Sequence, residues 1–535
     1  MKFSIATSAV LAMASTGGVS AMTIPFIGQT VLNYFDMNNY IPQFNIINGD
    51  EQSNLFSEVS NYFNEPLSIL TKETKKLWQE IVLNSELFQK FKSEPPSNKF
   101  AKKQKFEYYV KDAKYPNHGI RAKSPKGLGI DSVQQYSGYF DIEDEDKHLF
   151  FWLFESRNDP KTDPFVLWIN GGPGCASSLG LFFELGPASI SKDVKPVHNP
   201  YSWNNNATVI FIDSPVNVGY SYSSNSVTTA DASAKDIYAF LELFFKQFPQ
   251  YSKLDFHISG ESYAGHYLPA IAGEILSHPE RPFNLSSVLI GNGFADVKTQ
   301  YEYFQPMACG QGGEPSVLEP SECEAMAAGI PLCANLIDRC YKSQSVWDCL
   351  PATIYCNQAE LTPYEKTGRN LYDIRKECKG QNLCYEGMDY VDEYLSKPEV
   401  LKAVGAEVSG HEACNDEVTQ RFILNGDLMK PFYRHIVDVL DSGIPVLLYN
   451  GDKDFICNWL GVDAWSNKLE WTGSTGFKKS PLRKWQVGGK HAGNVKSYDN
   501  FTVLRVFDAG HMVPYDQPAH ALDMFTQWVG GQYTF

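Results

Sequence analysis

The chain is expected to fold as an α/β protein with a mixed, mostly parallel central sheet and a disulfide-rich insertion. Three observations predict this. Short apolar runs alternate with helical stretches through most of the chain, the order that packs helices on a parallel sheet. A G-x-S-x-G falls where one apolar run gives way to a helical stretch. Nine of the eleven cysteines lie between Cys309 and Cys414, with Cys175 and Cys457 outside that interval.

The first 21 residues, MKFSIATSAVLAMASTGGVSA, carry one cation (Lys2), an apolar stretch from Phe3 to Ala14, and small residues ending Val19-Ser20-Ala21. That layout predicts a secretory signal peptide cleaved near Ala21. Residues 22–120 contain no cysteine, eleven acids and eleven lysines. The remainder, 121–535, has 51 acids against 34 bases, so an acidic body follows a neutral leader. Within the leader, Leu67, Leu70, Leu77, Trp78, Ile81, Val82 and Phe88 recur at helical spacing and give one apolar face. Lys99, Lys102, Lys103, Lys105, Lys111 and Lys114 form a basic run. These features predict a pro-segment over 22–120 whose helix packs on the body and whose lysines oppose its acidic surface. A free-standing helical domain is the competing reading. The loop-like YPNHGIRAKSPKG suggests a junction near 115–124.

In the body, strands are expected at Leu149–Phe154, Phe165–Ile169, Val209–Ile212, Asp255–Ser259, Ser287–Ile290, Val446–Tyr449 and Val503–Phe507, with a helix over Ala232–Gln247. Between 296 and 430 the alternation breaks into a Cys-rich, loop-rich segment. It is expected to be a stapled cap inserted between a first core part, 121–295, and a second, 431–535. With an export signal and no paired C-x-x-C, the dense cysteines predict disulfides and no metal site. An odd count leaves at least one thiol over. Sequons at Asn206, Asn284 and Asn500 are candidate glycosylation positions. A net charge of −16 argues against nucleic-acid binding, and no apolar stretch reaches the 18 residues of a membrane span. With 43% hydrophobic and 20% charged residues, wholesale disorder is excluded.

The sharpest chemical signal is Gly260-Glu261-Ser262-Tyr263-Ala264-Gly265, after Phe256-His257-Ile258 and before HYLPAIAGEIL. A sharp strand-to-helix turn lifts a serine hydroxyl above the sheet, and flanking glycines let the backbone bend. The amide after the serine, Tyr263, is then placed to stabilise an oxyanion. A serine nucleophile needs a base, and the base an orienting acid, in the chain order Ser, acid, His on such a sheet. Downstream, IPVLLYNG runs into a loop with Asp452 and Asp454, and Val503–Phe507 leads to Asp508-Ala509-Gly510-His511. Both loops follow strand C-terminal ends, where open α/β sheets place their sites. His511 is the expected base; spacing alone does not separate Asp452 from Asp454. His266 would lie on the elbow helix, away from the base position. Trp168-Ile169-Asn170-Gly171-Gly172-Pro173-Gly174-Cys175 follows another strand and suits a second oxyanion amide. A phosphate loop is disfavoured because no G-K-[ST] follows.

Together WINGGPGCASS, ELGP, IDSPVNVGYSY, GESYAGHYLPA, IGNG, YNGDKDFICNW and AGHMVPYDQP resemble the serine carboxypeptidases over roughly residues 121–535. The resemblance implies an α/β-hydrolase fold, made as a zymogen, that removes single residues from peptide C-termini without a cofactor. It implies Ser262 as nucleophile, His511 as base and Asp454 as acid. The Gly172 and Tyr263 amides would form the oxyanion hole. Asn170, Gly171, Glu184 and Glu261 would hold the substrate carboxylate, and Cys457 would be a free thiol near the site. It further implies the pairs Cys175–Cys414, Cys309–Cys323, Cys333–Cys356, Cys340–Cys349 and Cys378–Cys384. The implied partners are peptide substrates, the chain's own pro-segment as intramolecular inhibitor and an activating protease. The implied compartment is the vacuole lumen, with secretion second.

Two ionised glutamates would repel a substrate carboxylate. If Glu184 and Glu261 share a proton they can instead donate to it, since close carboxylates push one proton affinity upward. An acidic optimum for peptides is expected to follow. The alternative on the same fold, an esterase or acyltransferase, has no use for such a clamp, and a non-catalytic binding protein has no use for the serine, histidine and aspartate.

Overall fold

The computed structural model describes residues 56–57, 60, 65, 67–83, 85, 103–380 and 382–535. The signal peptide expected at 1–21, Phe88, Lys99 and Lys102 lie outside these described residues. In chain order the strands are β1 (Tyr108–Asp112), β2 (Tyr115–Lys123), β3 (Gln135–Ile142), β4 (Lys147–Phe154), β5 (Phe165–Ile169), β6 (Ala188–Ile190), β7 (Pro196–His198), β8 (Thr208–Ile212), β9 (Tyr222–Ser223), β10 (Phe256–Glu261), β11 (Leu285–Gly291), β12 (Val446–Gly451), β13 (Arg483–Val487), β14 (Lys490–Tyr498) and β15 (Phe501–Val506). All but β6 and β7 join one sheet, ordered β1-β2-β3-β4-β8-β5-β10-β11-β12-β15-β14-β13, with β9 on β4. Every pairing from β8 to β15 is parallel, and the flanking pairings are antiparallel.

The middle strands show why they pair this way. Every residue of β5 and β10 is buried, as expected of parallel strands covered on both faces. Alternate side chains feed separate cores. Phe165, Leu167 and Ile169 pack with the elbow helix Ala264–Ser277 and the helix Ala230–Gln247. Val166 and Trp168 pack on the opposite face with Trp203 and Phe525.

The segment 296–430 is rich in cysteine but not in loops. It is largely helical, with Pro320–Ser343 and Val346–Cys356 as its longest elements. Prolines at 331 and 351 lie inside those helices, which is why the sequence looks broken there. Four disulfides lie wholly within it, Cys309–Cys323, Cys333–Cys356, Cys340–Cys349 and Cys378–Cys384. The fifth, Cys175–Cys414, ties it to the loop after β5.

The junction expected as a loop near 115–124 is instead β2. Ile120 and Ala122 are buried, and His118 to Lys123 pair with β3. The Gly and Pro content of that stretch suits an edge hairpin, because β1 and β2 close the sheet on that side. The leader's apolar face is also more broken than its spacing suggests. A short 3₁₀ turn, Leu67–Ile69, precedes an α-helix, Lys72–Leu77, that continues as a wider π turn, Trp78–Val82. Leu67 is exposed, whereas Trp78 and Val82 are fully buried against Trp347, Leu350 and Ile354 of the cap. Trp78 Nε1 donates to Trp347 O at 2.8 Å, and Glu73 pairs with Arg339 at 3.1 Å. Of the leader's lysines, Lys111 meets Glu143 at 2.9 Å and Lys114 meets Glu242 at 2.8 Å, while Lys103 and Lys105 are exposed.

Candidate active site

Ser262 sits between the end of β10 and the elbow helix, with φ at +67°. A non-glycine residue rarely adopts that conformation, and here three hydrogen bonds hold it. Ser262 N donates to Gly291 O, while Gly265 N and Phe294 N donate to Ser262 O. The glycines are required by close approach. A Cβ on Gly260 would lie 2.3 Å from Ile169 O, and one on Gly265 would lie 2.5 Å from Phe294 N. A Cβ on Gly171 would lie 2.3 Å from Tyr263 N and 2.9 Å from Ser262 Cβ, so the glycine loop after β5 rests directly on the elbow. Gly172 follows at φ +117°.

His511 comes from the loop after β15 and Asp454 from the loop after β12. His511 Nδ1 lies 2.8 Å from Asp454 Oδ2. The carboxylate can only accept, so Nδ1 carries the proton and Nε2 is free to take one. Nε2 faces Glu261 Oε1 at 3.9 Å. Among the described contacts the His511 ring bonds to Asp454 and not to Ser262. The geometry separates the two aspartates. Asp452 accepts from Asp508 N at 2.8 Å and Arg505 Nη2 at 3.3 Å, so it supports the loop.

Glu261 ends β10, and Glu184 ends the π turn Gly180–Glu184; both are buried. Asn170 fixes the geometry. Its Oδ1 accepts from Trp168 Nε1 (2.7 Å) and Gly180 N (2.8 Å), which leaves Nδ2 to donate to Glu184 Oε1 at 3.1 Å. Burial, with the neighbouring Glu184 carboxylate second, pushes Glu261 well above the ordinary carboxyl range. Burial also raises Glu184. Among the described residues the Oε2 of each has no hydrogen-bond partner.

An apolar recess of about 490 Å³, counting the space at its mouth, opens beside Ser262 and is lined by Tyr301, Leu361, Tyr372, Ile456 and Cys457 among others. Burial, followed by the Asp454 and Glu261 carboxylates, pushes the Cys457 thiol up and keeps it protonated. Asp454, Cys457 and His511 present ligand atoms within 4.8 Å of one another. A protonated thiol and an imidazole already committed to Asp454 suit a hydrogen-bonded site better than a metal cradle.

Two contributors escaped sequence reasoning. Asn292 Nδ2 donates to Asp454 Oδ2 at 2.8 Å while its Oδ1 accepts from Gly451 N at 3.1 Å, locking the acid. The I-G-N-G after β11 was the available signal. Tyr372, from the insertion, accepts from His511 N at 2.8 Å; no spacing could have found it. His266 is buried on the elbow helix, its ring nitrogens against Phe294 O and Leu428 O.

A family model described as serine carboxypeptidase matches residues 125–531. This chain belongs to the serine carboxypeptidase family. A second family model, the carboxypeptidase Y pro-peptide, matches residues 1–118, so this serine carboxypeptidase is built as a zymogen. Carboxypeptidase Y of Candida albicans is 59% identical over 488 residues, covering 90% of each chain. Carboxypeptidase Y of Saccharomyces cerevisiae is 56% identical over 441 residues, covering 81% of this chain and 83% of the relative. Among solved structures, the prohormone-processing carboxypeptidase Kex1(delta)p of Saccharomyces cerevisiae superposes with a TM-score of 0.67 at 26% identity, covering 79% of this chain and 95% of its own. The likeness carries the α/β-hydrolase fold of this serine carboxypeptidase and the central sheet that presents Ser262.

Proposed function

We propose that Ser262, His511 and Asp454 perform the carboxypeptidase chemistry, and that Glu184, Glu261, Asn170 and Gly171 restrict it to peptide C-termini. The observation that carries this reading is the buried glutamate pair beside the histidine–aspartate bond. Ser262 Oγ attacks the carbonyl of the last peptide bond while His511 Nε2 takes its proton, and Asp454 stabilises the resulting imidazolium. The Gly172 and Tyr263 amides meet the oxyanion. His511 then protonates the departing amino acid's nitrogen as the C–N bond breaks, leaving an acyl-serine. Water attacks the ester, its proton passing through His511 back to Ser262 Oγ. The protonated glutamate pair donates to the substrate's terminal carboxylate, a contact an esterase would not need.

Peptide turnover should therefore be favoured at acidic pH. Both glutamates are raised, so the pair keeps its shared proton, and the donor, until its second ionisation, and the donor is lost as pH rises through that step. An acidic compartment of the secretory pathway, the vacuole lumen first and secretion second, fits this dependence. Residues 22–120 act as the inhibiting pro-segment until an activating protease cuts; the pro-peptide match and the buried Trp78 contact support this. Among the described residues no helix is long and apolar enough to cross a membrane. Of the sequons, Asn284 is exposed, whereas Asn206 and Asn500 are half-buried with their side-chain amides engaged, so Asn284 is the accessible acceptor.

The test is release of the C-terminal amino acid from a blocked dipeptide by the processed enzyme. Ser262→Ala should abolish it, and the amidated dipeptide should lose the acidic preference. Equal pH profiles for free and amidated substrates would refute the clamp.

A further inference from the structure

A second Ser–His–Asp hydrogen-bond chain lies beside the glycine loop. Ser178 Oγ is 3.0 Å from His411 Nε2, and His411 Nδ1 is 2.7 Å from Asp392 Oδ1. Asp392 can only accept, so Nδ1 carries the proton, and a neutral ring takes its Nε2 hydrogen bond from the Ser178 hydroxyl. Ser178 and His411 are buried, so a substrate carbonyl has no approach to that hydroxyl. The chain is not a second catalytic centre.

Its position explains it. His411 begins a strap, 411–419, that runs antiparallel to the loop 173–178 and fastens it at successive points. Thr419 Oγ1 donates to Pro173 O (2.5 Å), Asn415 N donates to Gly174 O (2.8 Å), Cys414 is bonded to Cys175, and Ala176 N donates to Ala413 O (2.7 Å). Ser178–His411 is the last fastening, and Asp392 on the helix Met388–Leu395 anchors it to the cap. Gly172 immediately precedes this stretch. The clamp residue Glu184 has its own support through Asn170. The turn holding Gly172 is closed by Cys175 N donating to Gly171 O at 3.2 Å, and the strap fastens the residues that follow it.

We infer that His411 is a positioning residue: held by Asp392 and bonded to Ser178, it fixes the strap that aims the Gly172 amide at the oxyanion. This rests on reading Gly172 as an oxyanion donor. Losing such a donor outright costs about 10²–10³ in kcat, and misaiming it costs less, so about a tenfold fall is expected.

The experiment compares wild type, Ser178→Ala, Asp392→Ala, Asp392→Asn and Ser262→Ala in the processed enzyme. Each is assayed on a blocked dipeptide and on its ester analogue, with active sites titrated by a serine-directed phosphonate and Tm recorded. Ser178→Ala and Asp392→Ala should lower kcat about tenfold on both substrates with KM within about twofold. Asp392→Asn, whose side-chain oxygen still accepts from Nδ1–H, should regain most of the loss. A fall in Tm with kcat per titrated site unchanged would overturn the inference by making the link merely structural. A KM rise confined to the free-carboxylate substrate would overturn it by assigning the link to the clamp. Turnover persisting in Ser262→Ala would instead overturn the underlying reading of the active site, which separates the two failures.

Discussion

Glu360 offers the most quantitative expectation. It lies in the cap just after the helix Val346–Cys356, fully buried, and among the described residues neither carboxyl oxygen has a hydrogen-bond partner. One oxygen rests against Gly329 of the neighbouring helix, and the Tyr301 and Tyr355 phenols lie near enough to feel its charge. Among the described residues no cation compensates it, so burial alone lifts the carboxyl from the ordinary 4.5 to about 8. In the unfolded chain the group ionises near 4.5, whereas the folded protein keeps the proton until about 8. Stability is therefore greatest below 4.5 and declines as pH rises through the window to 8, then levels off. At about 1.4 kcal/mol for each tenfold in proton affinity, the full decline is about 5 kcal/mol. Glu360→Gln keeps the shape and removes the titration. Urea unfolding of the processed enzyme at pH 4.5 and pH 8, each end half-titrated, should show the wild type losing about 4 kcal/mol more stability than the variant. Parallel losses in the two proteins would refute the reasoning, because they would show that Glu360 is ionised or solvated in the folded state.

Three further expectations follow from the site and the leader. In Glu261→Gln the donor no longer titrates, so KM for a free-carboxylate peptide should stop rising with pH. In the wild type the rise should reach about tenfold or more, the worth of a hydrogen bond to a charged group, and identical KM profiles would count against the shared proton. Gly171→Ala places a methyl 2.3 Å from Tyr263 N and should lower kcat at least about 100-fold, read with active-site titration; a fully active variant would contradict the contact between glycine loop and elbow. Trp78→Ala should destabilise the full-length zymogen by about 3–5 kcal/mol in urea, and an unchanged unfolding midpoint would show that the contact with Trp347, Leu350 and Ile354 does not hold the leader.

The parallel middle of the sheet was legible because its strands are continuous apolar runs. Phe165–Ile169 was placed to the residue, and the other expected strands differ only at their ends. The outer strands were not. β13 is an edge strand and β14 is half solvent-facing, so both mix polar with apolar residues, while β3 is buried but carries Gln135, Ser137, Gly138 and Asp141 among its apolar residues. The insertion looked loop-like because internal prolines and disulfides interrupt helical periodicity that tertiary packing restores. Within the site, the elbow announced itself through glycines that short contacts demand. The choice between Asp452 and Asp454 could not be made by spacing, because both follow the same strand and only the fold shows which carboxylate meets the imidazole. Tyr372 and His411 carry no local pattern, as each acts through a partner distant in the chain.

β2 runs across the line where the two family descriptions meet, its first half on the leader's side and its last residues nearly at the start of the enzyme. A leader that merely rested on its enzyme could lift away. This one is woven into the rim of the fabric, so its departure has to unpick β1 from the far end of β2 and His118 from β3, and the enzyme it leaves behind wears a torn selvedge. During synthesis the thread precedes the cloth: the border strand emerges first and waits for the sheet it will hem.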